Sequence, residues 1–134
     1  GIPVLNLDDI AWADVAVQRP HEEITADLDQ FVSTNDPWVV EGCYGLLVEH
    51  LSPHATEMIF LNPGEAACVS NCLNRPFEPD KFATKEQQDA QLAPLLEWVR
   101  AYHTRDGDMS LAFHRRLFDS FGGVKREITR NERI

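Results

Sequence analysis

The sequence predicts an α/β fold in which a parallel sheet lies between helices on both of its faces, in three layers. Short apolar runs typical of buried strands alternate three times with amphipathic segments typical of helices. At 134 residues, 43% of them hydrophobic, the chain has the size and composition of one globular domain. We therefore expect residues 1–134 to form a single α/β domain with right-handed crossovers.

The first strand and helix follow from the N-terminal apolar pattern. Ile2 to Ile10 predicts a short strand that gives way to an acidic pair, and the next segment, to Gln18, has no clear period and predicts a loop. Arg19-Pro20 then opens a helix, since proline is favoured in a first turn. Its apolar side chains recur at helical spacing and predict one buried stripe: Ile24, Leu28, Phe31 and Val32.

A second and a third strand come next. Trp38-Val39-Val40 is a short apolar run introduced by Asp36-Pro37 and stopped by Gly42, which is typical of a strand buried on both faces. Residues 46–51 predict a short helix, and residues 56–61 predict the third strand. Asn62 and Pro63 then have the residue types of an N-cap and a first helical position.

The remaining segment predicts an interruption, two helices and an edge strand. Residues 75–84 are interrupted by prolines and predict a lid-like loop. Thr84 with Gln87 forms a capping box for a long helix, which Pro94 should kink. Asp108 is a candidate cap for the last helix, and residues 124–128 predict a half-polar final strand.

Composition excludes several function classes. The net charge of −10 disfavours nucleic acid as a partner, because the phosphate backbone would be repelled. No apolar run approaches the roughly 20 residues that span a bilayer. The three cysteines are odd in number and suit a reducing compartment, so we expect a cytoplasmic protein. We predict no metal site within the chain, since its five histidines are scattered and Cys68 and Cys72 have no histidine nearby in sequence.

Two motifs stand at the ends of the first two predicted strands. They are Leu7-Asp8-Asp9-Ile10-Ala11-Trp12 and Trp38-Val39-Val40-Glu41-Gly42-Cys43-Tyr44-Gly45. They resemble the L-D-x-[L/I]-x-W and W-V-I-D-G-N-Y-G segments of small P-loop kinase-like proteins. That group includes adenylate kinase-like and shikimate kinase-like proteins and those described as DNA topology modulation proteins. The order of the later elements is similar too, so the resemblance covers nearly the whole chain and implies a P-loop NTPase-like fold.

The resemblance implies phosphoryl transfer from ATP to a nucleotide or other small acceptor, with Mg²⁺ needed to neutralise developing charge. It implies Asp8 as the acceptor-positioning residue or base, and Glu41, where the family has Asp, for the outer Mg²⁺ shell or an acceptor contact. Asp9 and Tyr44 would contact the acceptor, and Arg75 would bind phosphates as a lid arginine.

Arg115 is a further candidate for cofactor binding. It is followed by Arg116, and two successive arginines on a helix cannot both face one cleft. Structural alternatives remain open for the other residues. Asp8 or Asp9 would cap the following turn, Glu41 would bond the backbone of the next loop, and Arg75 would favour the negative end of a helix dipole.

The chain departs from the family at its start. The phosphate-cradling G-x-x-x-x-G-K-[S/T] loop is absent, because the only lysines are Lys81, Lys85 and Lys125 and none follows a glycine-rich turn. The 134 residues therefore resemble such a kinase lacking its first βα unit. The family's sheet order is 2-3-1-4-5, so the missing strand would lie between the Trp38 strand and the Met58 strand. A gap of two strand spacings, each about 4.8 Å, is too wide for ladder hydrogen bonds.

Two explanations of the missing unit give two functional hypotheses. In the first, the sequence is a truncated part of a kinase and is inactive alone, so ATP and Mg²⁺ are expected only for the complete protein. In the second, the chain is a catalytically silent binding or assembly module. Its sheet would then close by direct pairing of the two strands or through a second chain, as in a strand-exchanged homodimer.

Overall fold

A computed structural model describes residues 1–14 and 17–130. The chain divides into two compact units, Gly1–Ala55 and Thr56–Ile134. The fold is α/β with small parallel sheets, which confirms the predicted α/β class. The described residues form three sheets of two strands each. None of their helices is both long enough and apolar enough to cross a bilayer.

The N-terminal unit contains two sheets and three α-helices. Strands β1 and β4 pair in parallel, with Val4 opposite Val39 and Asn6 opposite Glu41, whereas β2 and β3 pair in antiparallel orientation. The elements in order are β1 (Val4–Asn6), α1 (Asp8–Ala11), β2 (Trp12–Asp14), β3 (Val17–Gln18), α2 (His21–Thr34), β4 (Val39–Glu41), α3 (Gly45–Leu51) and a 3₁₀ turn (Ser52–His54).

Two expectations for this unit are wrong in detail. The strand predicted for Ile2 to Ile10 is confined to β1, because the backbone turns at Leu7, whose carbonyl accepts hydrogen bonds from the N–H groups of Ile10 and Ala11. In the segment predicted as a loop, Trp12–Asp14 and Val17–Gln18 instead pair as antiparallel strands, and Val15 and Ala16 lie outside the described residues. The predicted helix after Pro20 is confirmed as α2.

The core of the N-terminal unit forms where α2 and α3 present their apolar faces. Ile24 and Leu28 of α2 are buried as predicted, while Phe31 and Val32 are half-buried. The remaining buried apolar side chains of this unit are Leu7, Ala11, Tyr44, Leu47 and Leu51. Leu7 directly follows β1, Tyr44 is the N-cap of α3, and Leu47 and Leu51 lie within α3, so the core adjoins the ends of β1 and β4.

The described residues of the C-terminal unit, 56–130, form one parallel sheet and four helices. Strands β5 and β6 pair in register from Glu57 opposite Val124 to Leu61 opposite Ile128. Its buried residues are Phe60, Ser110, Phe121 and Ile128. The elements in order are β5 (Glu57–Leu61), α4 (Glu65–Leu73), α5 (Lys85–Ala90), α6 (Leu92–Ala101), α7 (Leu111–Ser120) and β6 (Val124–Ile128).

Three local expectations for this unit are corrected. The N-cap of α4 is Gly64 rather than Asn62, whose side-chain amide donates to Glu127 instead. Pro94 does not kink one long helix, because α5 ends before it and Pro94 falls in the first turn of α6, where a missing N–H costs little. The last helix is capped by Ser110, not Asp108. The Thr84 cap of α5 and the strand at residues 124–128 are confirmed.

The strands of both parallel sheets expose apolar side chains. Val4 and Val39 are 59% and 42% exposed, and Leu61 and Val124 are 55% and 68% exposed. Parallel strands are normally covered on both faces, and a sheet of two strands is marginally stable by itself. The strand predicted at Trp38-Val39-Val40 is therefore not buried on both faces, since Val39 is exposed and Val40 is half-buried.

Candidate functional site

The candidate site of the N-terminal unit lies at the carboxyl ends of β1 and β4. The pairing ends with Asn6 opposite Glu41, and the Leu7 N–H extends it by donating to the Glu41 carbonyl at 2.9 Å. Asp8 follows directly as the first residue of α1. Parallel strands place both carboxyl ends at one edge, so Asp8 and Glu41 lie at the same edge of the sheet, where α/β proteins bind ligands.

Gly42 makes this edge compact. Its φ of +151° is one that side-chain-bearing residues rarely adopt, and a Cβ there would lie 2.7 Å from the Cβ of Leu7. Leu7 is itself fully buried. Gly42, in the second motif, therefore lets the ends of β1 and β4 approach each other closely. Neither sequence motif by itself indicates this contact.

A hydrogen-bonded relay of three side chains crosses the site. Trp12 Nε1 donates to the hydroxyl of Tyr44 at 2.9 Å, and that hydroxyl donates to Asp8 Oδ1 at 2.5 Å. Tyr44 is only 5% exposed, and it directly precedes α3, whose first turn buries Gly45 and Leu47. The short O–H···O distance is typical of a bond to a carboxylate. The relay fixes the position of Asp8 on a buried, rigid support.

The phenol of Tyr44 is held in its neutral form. The pKa of Tyr44 is raised to about 12, first by burial and then by its hydrogen bond to Asp8, whereas donation from Trp12 lowers it. A neutral phenol keeps its proton available for Asp8 at physiological pH. Tyr44 therefore holds Asp8 through its hydroxyl, and its burial leaves little of its surface exposed for the acceptor contact that the resemblance implies.

The carboxylates at the site are exposed to solvent. Asp8, Asp9 and Glu41 are all exposed, although one oxygen of Asp8 is anchored by Tyr44. Neither Asp8 nor Asp9 is the N-cap of α1. That position is occupied by Leu7, which makes no side-chain hydrogen bond. The backbone N–H of Asp8 instead donates a hydrogen bond to Asn6 Oδ1 at 2.9 Å.

The two predicted arginines lie in the C-terminal unit, each paired with a carboxylate. Arg75 follows α4 and donates from Nε to Glu78 Oε1 at 2.8 Å, and Glu78 is further contacted by Lys81 at 3.4 Å. Arg75 lies in residues 75–84, which form the loop predicted as lid-like. To bind a phosphate, Arg75 would have to exchange Glu78 for it.

Arg115 is held more firmly than Arg75. Its two terminal nitrogens donate to Glu127 at 2.8 and 2.6 Å, and its guanidinium lies 5.1 Å from the ring centre of Phe60. This fork lowers the pKa of Glu127 to about 2, with help from the Asn62 amide. Arg116 is exposed and lies over Phe113. The geometry of Arg115 is that of a structural ion pair between α7 and β6.

The described residues contain no group of three or more histidine, cysteine, aspartate or glutamate side chains arranged to hold a metal ion. Burial raises the pKa of the Cys68 thiol, and Cys72 raises it further, which disfavours the thiolate that metals bind. Mg²⁺ is compatible with the exposed carboxylates of Asp8 and Glu41. It is commonly bound through one or two carboxylates, with water and substrate phosphates as the other ligands.

Comparisons with protein-family models, with curated proteins and with solved structures found no match. The assignment of a function therefore rests on the residues themselves.

The sequence analysis includes Trp12 in the first motif without giving it a role at the site. The one sequence feature that could have linked Trp12 to the site is its position four residues after Asp8, at the end of the same motif.

Proposed function

We propose that this chain is the body of a P-loop kinase-like protein that transfers a phosphoryl group from ATP to a nucleotide or other small acceptor. The observation that carries the proposal is the strand pairing. β1 pairs in parallel with β4, and β5 pairs in parallel with β6. Chain order alone would not predict the pairing of β1 with β4, since β2, β3 and the long helix α2 lie between them in sequence.

These pairings agree with the family's strand order once the first βα unit is removed. In the order 2-3-1-4-5, strands 2 and 3 are neighbours, strands 4 and 5 are neighbours, and strand 1 joins the two pairs. The exposed apolar side chains of Val39 and Leu61 support a sheet that is normally larger. The proposal includes a three-layer sheet completed by the unit that carries the phosphate loop.

The site supports a specific role for Asp8. In the proposed transfer, the acceptor's O–H bond breaks and its proton passes to the Asp8 carboxylate, while the acceptor oxygen bonds to the γ-phosphorus of ATP. The bond between that phosphorus and the bridging oxygen breaks, and ADP leaves. Tyr44 keeps Asp8 in place through the 2.5 Å hydrogen bond. Mg²⁺, when bound, would offset the charge on the phosphates, and Glu41 lies at the correct edge to contact its water shell.

A chain that includes the missing unit tests this proposal. The comparison is between the 134 residues and a longer protein with a strand, a G-x-x-x-x-G-K-[S/T] loop and a helix ahead of Gly1. We expect ATP-dependent phosphorylation of an acceptor pool only from the longer protein, and its loss in Asp8→Asn. Lys→Ala in the added loop is the matched control. Equal activity of Asp8→Asn and the parent would contradict the role of Asp8.

The exposed strand residues also favour a second candidate, a catalytically silent assembly module. Apolar side chains such as Val4 and Val124 would then be covered by a second copy of the chain. Sedimentation equilibrium separates the two candidates. A dimer that only denaturant dissociates favours the assembly module, whereas a monomer at micromolar concentration favours the kinase body.

A further inference from the structure

The indole of Trp12 is both fixed and accessible. Its Nε1–H is tied to Tyr44, yet 42% of the residue is exposed to solvent. The indole is anchored through the same Tyr44 hydroxyl that anchors Asp8. Trp12 therefore presents a preorganised aromatic surface close to the carboxylate that we assign to the acceptor. Preorganisation of this kind reduces the entropic cost of binding a ring.

The charge around the site is strongly negative. Residues 1–55 contain ten aspartate and glutamate residues but only one arginine and no lysine. The arginine, Arg19, is engaged by the Ile10 carbonyl at 2.9 Å and by Asp27 at 2.7 Å. Asp8, Asp9 and Glu41 are exposed at the edge itself. An acceptor that carries its own phosphate would be repelled here by like charge.

We propose that the phosphate acceptor is an uncharged ring compound with a free hydroxyl, which stacks on Trp12 and donates its hydroxyl hydrogen bond to Asp8. This inference rests on the proposed function and narrows its acceptor class. A nucleoside and a neutral sugar share the required chemistry, because bases and sugar rings both pack on indole and both carry hydroxyl groups. A nucleoside monophosphate does not fit, since its phosphate would meet the carboxylates of this unit.

The test uses the 134-residue chain without ATP. Titrations with adenosine, methyl β-glucoside and AMP are followed by the ¹H–¹⁵N signal of the Trp12 indole. We expect a saturable shift with adenosine, the glucoside or both, and AMP binding at least about tenfold more weakly than adenosine at low salt. Adenosine alone would identify a nucleoside site, and the glucoside alone a sugar site.

Two variants connect the binding to the indole. Trp12→Ala should weaken binding of the neutral ligand about 5- to 100-fold, the range expected for loss of one stacked ring. Trp98→Ala is the matched control, since Trp98 is a similarly exposed tryptophan in the other unit, and it should bind as the parent does. If Trp12→Ala does not fold, the shift of the Trp12 signal in the parent remains as the readout.

Three results would overturn the inference: AMP binding as tightly as adenosine, an unshifted Trp12 signal with every neutral ligand, or unchanged affinity in folded Trp12→Ala. These outcomes are independent of the kinase proposal, because binding is measured without ATP. Neutral-ligand binding together with no transfer by the longer protein would refute the kinase assignment alone.

Discussion

The two terminal nitrogens of Arg115 donate to the two carboxylate oxygens of Glu127 at 2.8 and 2.6 Å, joining α7 to β6. Sequence analysis assigned Arg115 to a cofactor, but here it contributes to the fold. A forked pair of this kind holds Glu127 in its charged form. Its strength can be measured through the titration of that carboxylate.

Removal of the fork should raise the pKa of Glu127. In the parent it is about 2, mainly because of Arg115 and then because of Asn62. Because the folded-state pKa lies below the ordinary 4.5, the pair contributes stability above about pH 4.5 that is lost as pH falls toward 2. In Arg115→Ala, carbon-13 NMR should show Glu127 titrating closer to 4.5, and Asn62→Ala should have the smaller effect. An unchanged titration in Arg115→Ala would contradict the assigned cause.

Tyr44 should titrate far above an ordinary tyrosine. Its pKa is about 12, so absorbance at alkaline pH in a Tyr102→Phe background should show little ionisation at pH 10. Asp8→Asn should lower this pKa and Trp12→Phe should raise it, since the two neighbours act in opposite directions. Because the folded-state pKa is raised, its contribution to stability is present below pH 10 and is lost as pH rises toward 12. Shifts of the same sign in both variants would contradict the relay.

Gly42→Ala should destabilise the N-terminal unit. The added Cβ would meet Leu7 at 2.7 Å and would occupy an unfavourable φ. The expected loss is about 1–3 kcal/mol in urea unfolding. Gly122→Ala is the control, since nothing lies within 4 Å of a Cβ there, and it should change stability by less than about 0.5 kcal/mol. Equal stability of the two variants would show that the strand ends do not need this close approach.

Ser110→Ala should loosen the start of α7. Ser110 is 1% exposed, its hydroxyl accepts from the Phe113 N–H at 3.2 Å, and it donates to the Gly107 carbonyl at 2.7 Å. The loss of an N-cap costs about 0.5–2 kcal/mol, and a buried cap belongs at the upper end. Ser120→Ala, at the exposed end of the same helix, should be nearly neutral. Thermal unfolding of both variants provides the comparison, and similar melting temperatures would exclude the cap.

The sequence predicted the helices and strands that have strong periodicity or flanking turn residues. The α2 stripe, the Thr84 cap and the strand at residues 124–128 are local patterns, so local physics was sufficient. The cap of α7 was misplaced because both Asp108 and Ser110 are polar residues near its start, and the cap of α4 was misplaced because Asn62 is engaged in a tertiary contact. Asn62, for instance, bonds to Glu127, 65 residues away.

The candidate site was predictable only in part. Its two strand-end acids follow from the general behaviour of parallel sheets, and Asp8 and Glu41 do lie at one edge. The relay through Tyr44 joins residues 36 positions apart, and the Leu7–Gly42 contact joins residues similarly distant in sequence. Contacts of that range have no periodic signature. Arg115 pairs with Glu127 on a different element, which no local pattern indicates, whereas Arg75 pairs with Glu78 three positions away in an irregular loop that has no helical period.

We propose that this chain carries the acceptor side of a P-loop kinase without its phosphate loop, and a calorimetric titration of the 134 residues with Mg·ATP tests this proposal most directly. We predict no saturable binding up to about 1 mM, because no glycine-rich turn supplies backbone N–H groups and a lysine to the phosphates. Binding with a Kd of about 1 μM or below would contradict the account, since a different phosphate site would then have to exist within these residues.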